Sequence, residues 1–221
     1  MKKTVVVVHT GPVTIQPLKD QFKNLLPDVR MINIMDDSLL NDVMSAGHLT
    51  KDVTQRIYSY MKDAEDMKAD MILNACSSVG EATDVVKNMV NVPIIKIDEA
   101  MADQASEIGS KIGVLATVKT TLEPTVRLVK KKALEKNKEI TVIERIAEGA
   151  FQALLDGNGE KHDQILKDTI YDLMEQVDVV VLAQVSMARL VPSLGETKVP
   201  VLSSPKSGVE TLKKALEQLN S

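Results

Sequence analysis

The stretch ADMILNACSS at residues 69–78 has the same pattern as VDVVVLAQVS at residues 177–186. Each stretch has an aspartate before an apolar run, then alanine, a polar residue and, two positions later, serine. VPII at residues 92–95 and VVHT at residues 7–10 match VPVL at 199–202 and VLAT at 114–117. All three matches are separated by 107 or 108 residues. Three matches in one order at one spacing predict two related halves.

Apolar runs rich in β-branched residues alternate with stretches of helical period along the chain. Strands of a parallel sheet are buried on both faces, so their sequences are continuous apolar runs. The predicted strands are Thr4–His9, Val29–Ile34, Met71–Ala75, Pro93–Ile97, Ile112–Thr117, Ile140–Glu144, Val179–Gln184 and Val199–Ser203. The predicted helices span residues 14–26, 38–46, 50–68, 79–90, 98–109, 120–137, 147–155, 160–176 and 207–219.

This alternation predicts an α/β fold. We expect two pseudo-symmetric lobes, each a four-stranded, mostly parallel sheet flanked by helices, with the site in the cleft between the lobes. The first lobe is predicted to comprise residues 1–98 plus 205–221, because the helix after Pro205 is expected to cross back to it. The second lobe is predicted to comprise residues 99–204.

Composition excludes several classes of function. The net charge of −4 argues against nucleic acid or an anionic membrane as the main partner, since both need a basic surface. No apolar run approaches the ~20 residues of a membrane helix. The single cysteine allows no intramolecular disulfide and fits a reducing cytoplasm.

Ligands of open parallel sheets bind beyond the carboxyl ends of the strands. That rule selects four segments: His9-Thr10-Gly11, Cys76-Ser77-Ser78, Thr117 to Thr121, and Gln184-Val185-Ser186. Cys76 is the strongest candidate for chemistry, because a helix is predicted to begin just after it. Helical N–H groups near a thiol lower its pKa and favour a reactive thiolate. The alternative is a buried, inert cysteine.

The other candidates have both a functional and a structural interpretation. Thr10 and Thr117 could bind a carboxylate or cap a helix, and for Thr120 and Thr121 capping is favoured. His9 could orient or protonate a substrate, or it could be a hydrogen-bonded residue at a strand end. His48 and His162 are predicted to lie on the surface. No residues have metal-ligand spacing, and no glycine-rich phosphate loop follows the first strand.

The whole chain resembles the aspartate/glutamate/hydantoin racemase superfamily. The resemblance rests on His9-Thr10-Gly11, Asn74-Ala75-Cys76-Ser77-Ser78, Val92-Pro93 with Asp98-Glu99-Ala100-Met101, Leu115-Ala116-Thr117, and Val181-Leu182-Ala183-Gln184. It implies a cofactor-independent, metal-free enzyme in which one cysteine per lobe exchanges a proton with a carbon next to a carboxylate. Members are often dimeric, so the resemblance allows a homodimer.

The resemblance also assigns roles to residues. Cys76 matches the first catalytic cysteine, and Gln184 stands where the second is expected. Glutamine is no proton-transfer base near neutral pH, so a two-thiol racemase mechanism is doubtful.

We therefore expect a cytoplasmic isomerase that acts on a small carboxylate through Cys76. The expected substrate-binding residues are His9, Thr10, Gly11, Asn74, Ser77, Ser78, Thr117, Thr120, Gln184 and Ser186. The alternatives are a single-cysteine decarboxylase or lyase of the same superfamily, or a catalytically degenerate protein that binds a small anion.

Overall fold

The computed structural model describes residues 2–219 and divides the chain into two compact units. The first unit runs to Glu99 and includes the segment from Pro205 onward, and the second is Ala100–Ser204. The boundary at Glu99 lies one residue from the predicted one.

The sheet of the first unit has four parallel strands in the order β2-β1-β3-β4. The strands are β1 (Thr4–His9), β2 (Arg30–Met35), β3 (Met71–Asn74) and β4 (Ile94–Lys96). Its helices are α1 (Ile15–Leu25), α2 (Ser38–Ala46), α3 (Lys51–Asp66) and α4 (Gly80–Val86). Every residue of the two central strands, β1 and β3, is buried, which explains their continuous apolar sequences.

The second unit repeats this topology in the order β6-β5-β7-β8, again with parallel pairing throughout. Its strands are β5 (Lys111–Ala116), β6 (Thr141–Ile146), β7 (Val179–Leu182) and β8 (Val201–Ser203). The helices are α5 (Glu99–Ile108), α6 (Lys119–Glu135), α7 (Ala150–Leu155) and α8 (Gly159–Met174). The prediction of two four-stranded α/β lobes is confirmed.

Both faces of the second sheet are covered, as the side chains of β7 illustrate. Val179 and Val181 belong to the apolar cluster that includes α6, while Val180 and Leu182 belong to the cluster that includes α8. Successive side chains of a strand point to opposite faces, so a strand covered on both sides must be apolar at every position.

The last helix, α9 (Ser204–Gln218), belongs to the first unit. It approaches the chain after β4 so closely that a Cβ built on Gly208 would lie 2.5 Å from the carbonyl oxygen of Ile97. Glycine is therefore required there for packing. In the described part of the chain, no helix combines the length and the apolar character needed to cross a membrane.

The repeated aspartates have a structural explanation. Asp70 Oδ2 accepts a hydrogen bond of 2.8 Å from the backbone N–H of Thr4, at the start of β1. Asp178 Oδ2 accepts bonds of 2.8 Å each from the N–H groups of Ser110 and Lys111, at the start of β5. An aspartate at the equivalent position of each unit therefore binds the beginning of the adjacent central strand.

The predicted elements differ from the structure mainly where the strands end. The predicted helix 79–90 is replaced by a 3-10 turn at Ser77–Val79, followed by the short helix α4. A second 3-10 segment, Val185–Ser193, was not predicted. Strands β3, β5 and β7 end one or two residues before their predicted ends, although the N–H groups of Ala75 and Ala183 still donate to the carbonyl oxygens of Val8 and Leu115.

Candidate active site

In the first unit, three strands bring their following residues together at one edge of the sheet. The N–H of Ala75 donates to the carbonyl oxygen of Val8 at 3.0 Å, which places the chain after β3 beside the end of β1. The N–H of Ile97 donates to the carbonyl oxygen of Asn74 at 3.0 Å, which places the chain after β4 on the other side. The segment that contains Cys76 therefore lies between its two neighbours.

The Cys76 thiol is surrounded by hydrogen-bond donors. The hydroxyls of Thr10 and Ser78 and the backbone N–H groups of Ser78 and Val79 all bond to it. The residue itself is only partly buried. Four donors from one sheet edge and one turn form a site that would stabilise negative charge on sulfur.

Burial of the sulfur nevertheless raises the pKa of the Cys76 thiol, although the hydrogen bonds from Thr10, Ser78 and Val79 act in the opposite direction. The expected thiolate is thus corrected: the thiol keeps its proton at neutral pH. The reason is burial of the sulfur, which outweighs the hydrogen bonds; the long helix expected after Cys76 is also replaced by a 3-10 turn and the seven-residue α4. A thiol of this kind is a proton donor in its resting state.

Asn74, the last residue of β3, holds the backbone of Cys76. Its Nδ2 donates to the carbonyl oxygen of Cys76 at 3.0 Å, and the residue is 1% exposed. Its Oδ1 is buried and has no hydrogen-bond partner among residues 2–219. A buried carbonyl oxygen without a partner is costly, and a ligand N–H or O–H could satisfy it.

Asp98 is a member of this cluster that the predicted binding residues did not include. The residue is buried, and burial raises the pKa of its carboxyl, while a hydrogen bond from Ser77 and the charge of Lys96 oppose that shift. Lys96 is itself buried and pairs with Asp84 at 2.7 Å. Only the motif Asp98-Glu99-Ala100-Met101 pointed to this position in the sequence, and no sequence signal indicated its burial.

His9 makes its hydrogen bonds with other residues of the first unit. It is fully buried, with Nδ1 2.7 Å from Thr14 Oγ1 and Nε2 2.9 Å from Asn33 Oδ1. Burial lowers the pKa of His9, and the bond to Asn33 opposes this, so the ring is neutral at neutral pH. Asn33 Oδ1 can only accept, so Nε2 carries the hydrogen of the neutral ring, and Nδ1 faces the Thr14 hydroxyl, which is also 3.1 Å from the carbonyl oxygen of Gly11. These contacts favour the structural interpretation of His9 over the substrate-binding one.

The remaining first-unit candidates differ in how open they are. Gly11 is extended, with open space where a Cβ would be, and it precedes a 3-10 turn at Pro12–Thr14. Ser77 and Ser78 are buried.

His48 is exposed as predicted, whereas the surface prediction for His162 is wrong. His162 is 1% exposed and bonds to Asp163 at 2.8 Å, because it lies on the buried face of α8.

The second unit has an equivalent pair at the ends of β5 and β7. Gln184 Oε1 accepts hydrogen bonds from the backbone N–H of Thr117 at 2.7 Å and from its hydroxyl at 2.9 Å. Thr120 Oγ1 is buried without a partner in the described chain, and the cap of α6 is Val118, which makes no side-chain bond. The predicted capping role of Thr120 and Thr121 is therefore wrong. Ser186 is partly buried in the 3-10 segment that follows Gln184.

The protonated state of Cys76 can be measured by alkylation, because the chain contains no other cysteine. The rate of reaction with iodoacetamide should rise with pH and reach half its maximum above the ordinary thiol value of about 8.5. Thr10→Val removes one hydroxyl donor and should move this midpoint still higher. Thr211→Val, which removes a hydroxyl on α9, is the control and should leave it unchanged. A midpoint below the ordinary value would contradict the effect of burial.

Within residues 2–219, no group of three or more histidine, cysteine, aspartate or glutamate side chains is arranged to hold a metal ion. The candidate residues of the first unit provide a thiol, hydroxyls, backbone N–H groups, a carboxamide and a buried carboxyl, and those of the second unit provide hydroxyls and a carboxamide. Such a set can bind anionic oxygens and transfer a proton.

Comparison with known proteins identifies the family and the fold. The sequence model of the Asp/Glu/hydantoin racemase family matches residues 5–212, nearly the whole chain. No curated protein sequence matches it. Glutamate racemase isoform RacE1 from Bacillus anthracis has a similar structure, with a TM-score of 0.76 and 19% identity over 99% of this chain and 83% of that one.

Two other solved structures show the same fold. Allantoin racemase from Klebsiella pneumoniae has a TM-score of 0.72 and 15% identity, over 99% of this chain and 89% of that one. Aspartate racemase from Picrophilus torridus has a TM-score of 0.71 and 17% identity, over 97% and 94%. At these identities the structures establish a shared fold, and their different substrates leave the choice of substrate to the residues of the site.

Proposed function

Because the chain belongs to the Asp/Glu/hydantoin racemase family, we propose that it is a cofactor-independent isomerase that acts on a small carboxylate through Cys76. The observation that supports this most directly is the set of four donors around the Cys76 sulfur. Such donors have little value for an inert thiol, but they stabilise the thiolate that remains after a proton has been transferred.

In the proposed exchange, the Cys76 thiol first gives its proton to water or hydroxide, and the thiolate accepts the hydrogen bonds from Thr10, Ser78 and Val79. The thiolate then removes the proton from the carbon next to the substrate carboxylate, which leaves a carbanion or enediolate and the protonated thiol. The thiol returns a proton to the same carbon, and isomerisation requires that water deliver a proton to the opposite face. Burial disfavours the thiolate, and the donors favour it.

The substrate class is an amino acid or a dicarboxylate-like molecule. Thr10, Gly11, Ser77 and Ser78 are the proposed binding residues of the first unit, and Thr117, Thr120, Gln184 and Ser186 those of the second. The free Oδ1 of Asn74 favours a substrate that carries an N–H or O–H donor beside its carboxylate. Of the substrates in the names of the similar structures, glutamate and aspartate fit that description, whereas allantoin has N–H donors but no carboxylate.

A second candidate is a single-cysteine decarboxylase or lyase. The raised pKa of Cys76 favours it, because loss of carbon dioxide produces an enediolate that needs one proton from one acid. The enzyme would then recover its proton from water. The third alternative, a degenerate anion-binding protein, predicts ligand binding without any exchange of protons.

Incubation in deuterated water tests the proposal and separates the candidates. Dicarboxylates, amino acids and malonates should be screened for deuterium at the carbon next to the carboxylate, with Cys76→Ser protein as the blank. Deuterium in an isomerised product supports the isomerase, whereas deuterium in the unchanged substrate alone shows one-base exchange and contradicts isomerisation. Deuterium found only in a product that has lost carbon dioxide supports the decarboxylase. Binding without incorporation in any compound would contradict both and favour the anion-binding protein.

A further inference from the structure

The two units contain the same side-chain pair at the same place in the fold. In the first unit, the hydroxyl of Thr10 after β1 bonds to Cys76 after β3. In the second unit, the hydroxyl of Thr117 after β5 bonds to Gln184 after β7. Both partners of these threonines come directly before a 3-10 segment. Gln184 therefore occupies the structural position of Cys76 and makes the corresponding contact.

The contact with Thr117 fixes which way the carboxamide of Gln184 points. The backbone N–H of Thr117 can only donate, so the atom 2.7 Å from it must be the carbonyl oxygen Oε1. The hydroxyl of Thr117 donates to the same oxygen at 2.9 Å. If the oxygen and the nitrogen of the carboxamide were exchanged, its NH2 group would face the N–H of Thr117, and both groups are donors. The two hydrogens of Nε2 must then point away from Thr117.

We propose that Gln184 is a carboxylate-binding residue whose Nε2 donates hydrogen bonds to a carboxylate oxygen of the ligand. Gln184 is only partly buried. Thr120 supplies a second observation in the same unit, since its buried Oγ1 lacks a partner among the described residues. A hydroxyl and a carboxamide that each have a hydrogen to donate suit a ligand oxygen that can only accept.

This inference deepens the proposed function and, for its catalytic consequence, rests on it. A residue that only donates hydrogen bonds cannot remove a proton from carbon, so Gln184 is a binding residue and Cys76 remains the one proposed proton-transfer residue. Cys76 should then deliver hydrogen to one face of the carbon only, and hydrogen on the opposite face must come from water. Gln184 thus determines which substrates bind and how their carboxylate is oriented, without acting as an acid or a base.

Nuclear magnetic resonance can observe the Gln184 side chain directly. The test uses the full-length, ¹⁵N-labelled Cys76→Ala protein, in which chemistry is blocked, and the Nε2 signals are assigned by their loss in an additional Gln184→Glu substitution. Malonate, succinate, aspartate and glutamate are then titrated, with chloride at equal ionic strength as the control. The Gln184 signals should shift saturably with at least one carboxylate and remain unchanged with chloride.

The variants separate binding from structure. Gln184→Glu keeps an oxygen acceptor for Thr117 but has no donor, so the affinity for the carboxylate should fall about ten- to hundredfold while the fold is retained. Thr117→Val removes one of the two bonds that orient the carboxamide and should weaken binding about three- to tenfold. Thr117→Ser keeps the hydroxyl and should bind the carboxylate with the parent affinity.

Two results would overturn the inference. One is carboxylate binding of unchanged affinity in Gln184→Glu. The other is a Gln184 signal that does not move with any of the four carboxylates up to their solubility limits. Neither result depends on turnover, because the protein used lacks the thiol. If the deuterium experiment showed no proton transfer by Cys76, this binding test would still be valid. The two proposals can therefore fail independently.

Discussion

Replacing Cys76 with alanine should slow turnover of the substrate by about 10²–10⁴-fold, the usual contribution of a positioned acid or base. The variant lacks the only side chain in the proposed mechanism that transfers a proton to carbon. The binding residues remain, so KM should change much less than kcat. The measurement is steady-state kinetics on whichever compound exchanges deuterium in the screen.

Cys76→Ser is the matched variant, since it keeps a small polar side chain that the donors around Cys76 can still reach. Its hydroxyl is a much weaker acid than a thiol, so it should be nearly as inactive as the alanine variant. Both variants should melt within a few degrees of the parent, which circular dichroism can check. Turnover by Cys76→Ala at the parent rate would show that the chemistry takes place without this sulfur.

Gly208→Ala should lower the free energy of unfolding by about 1–3 kcal/mol or more, the range found when an extra methyl is forced into a packed interior. The added Cβ would lie 2.5 Å from both the carbonyl oxygen and the Cδ1 of Ile97. A side chain can rotate away, but a backbone carbonyl can move only with its chain. For a chain of this size, each kcal/mol corresponds to a decrease in Tm of about 2–4 °C.

This substitution should also reduce activity, because Ile97 is linked to the site. Its N–H donates to the carbonyl oxygen of Asn74, and Asp98 follows it directly. Gly159→Ala is the control, since nothing lies within 4 Å of a Cβ at that helical position. Thermal denaturation of both variants makes the comparison. Equal stability of Gly208→Ala and the parent would show that α9 can move away from Ile97.

Sequence patterns predicted the architecture because the fold depends on apolar periodicity and on a repeat, and both are visible in one chain. Strand β1 has its predicted bounds, and the family suggested by the Cys76 segment is confirmed. The repeated Asp70 and Asp178 also point to equivalent structural contacts. These features depend on neighbours in sequence or on a regular spacing, which is why they can be predicted.

The chemistry of the site was harder to predict, because it depends on contacts between distant parts of the chain. The pKa of Cys76 follows from a balance between burial and hydrogen bonds, one of which comes from Thr10. The burial of Asp98 depends on how the chain after β4 packs, and nothing in its motif indicates it. His162 resembles a surface residue because charged residues surround it, yet the face of α8 that carries it is buried.

The position of α9 has a consequence for the order in which the chain is synthesised. The ribosome releases the four strands of the first unit early, but the helix that completes this unit emerges only after all of Ala100–Ser204 has left. Domains formed from one continuous segment usually fold in order from the amino terminus. In this chain, all residues of the second unit leave the ribosome before the first unit is complete. The apolar side of α9, with Val209 and Leu212, can be buried only after all of Ala100–Ser204 has been synthesised.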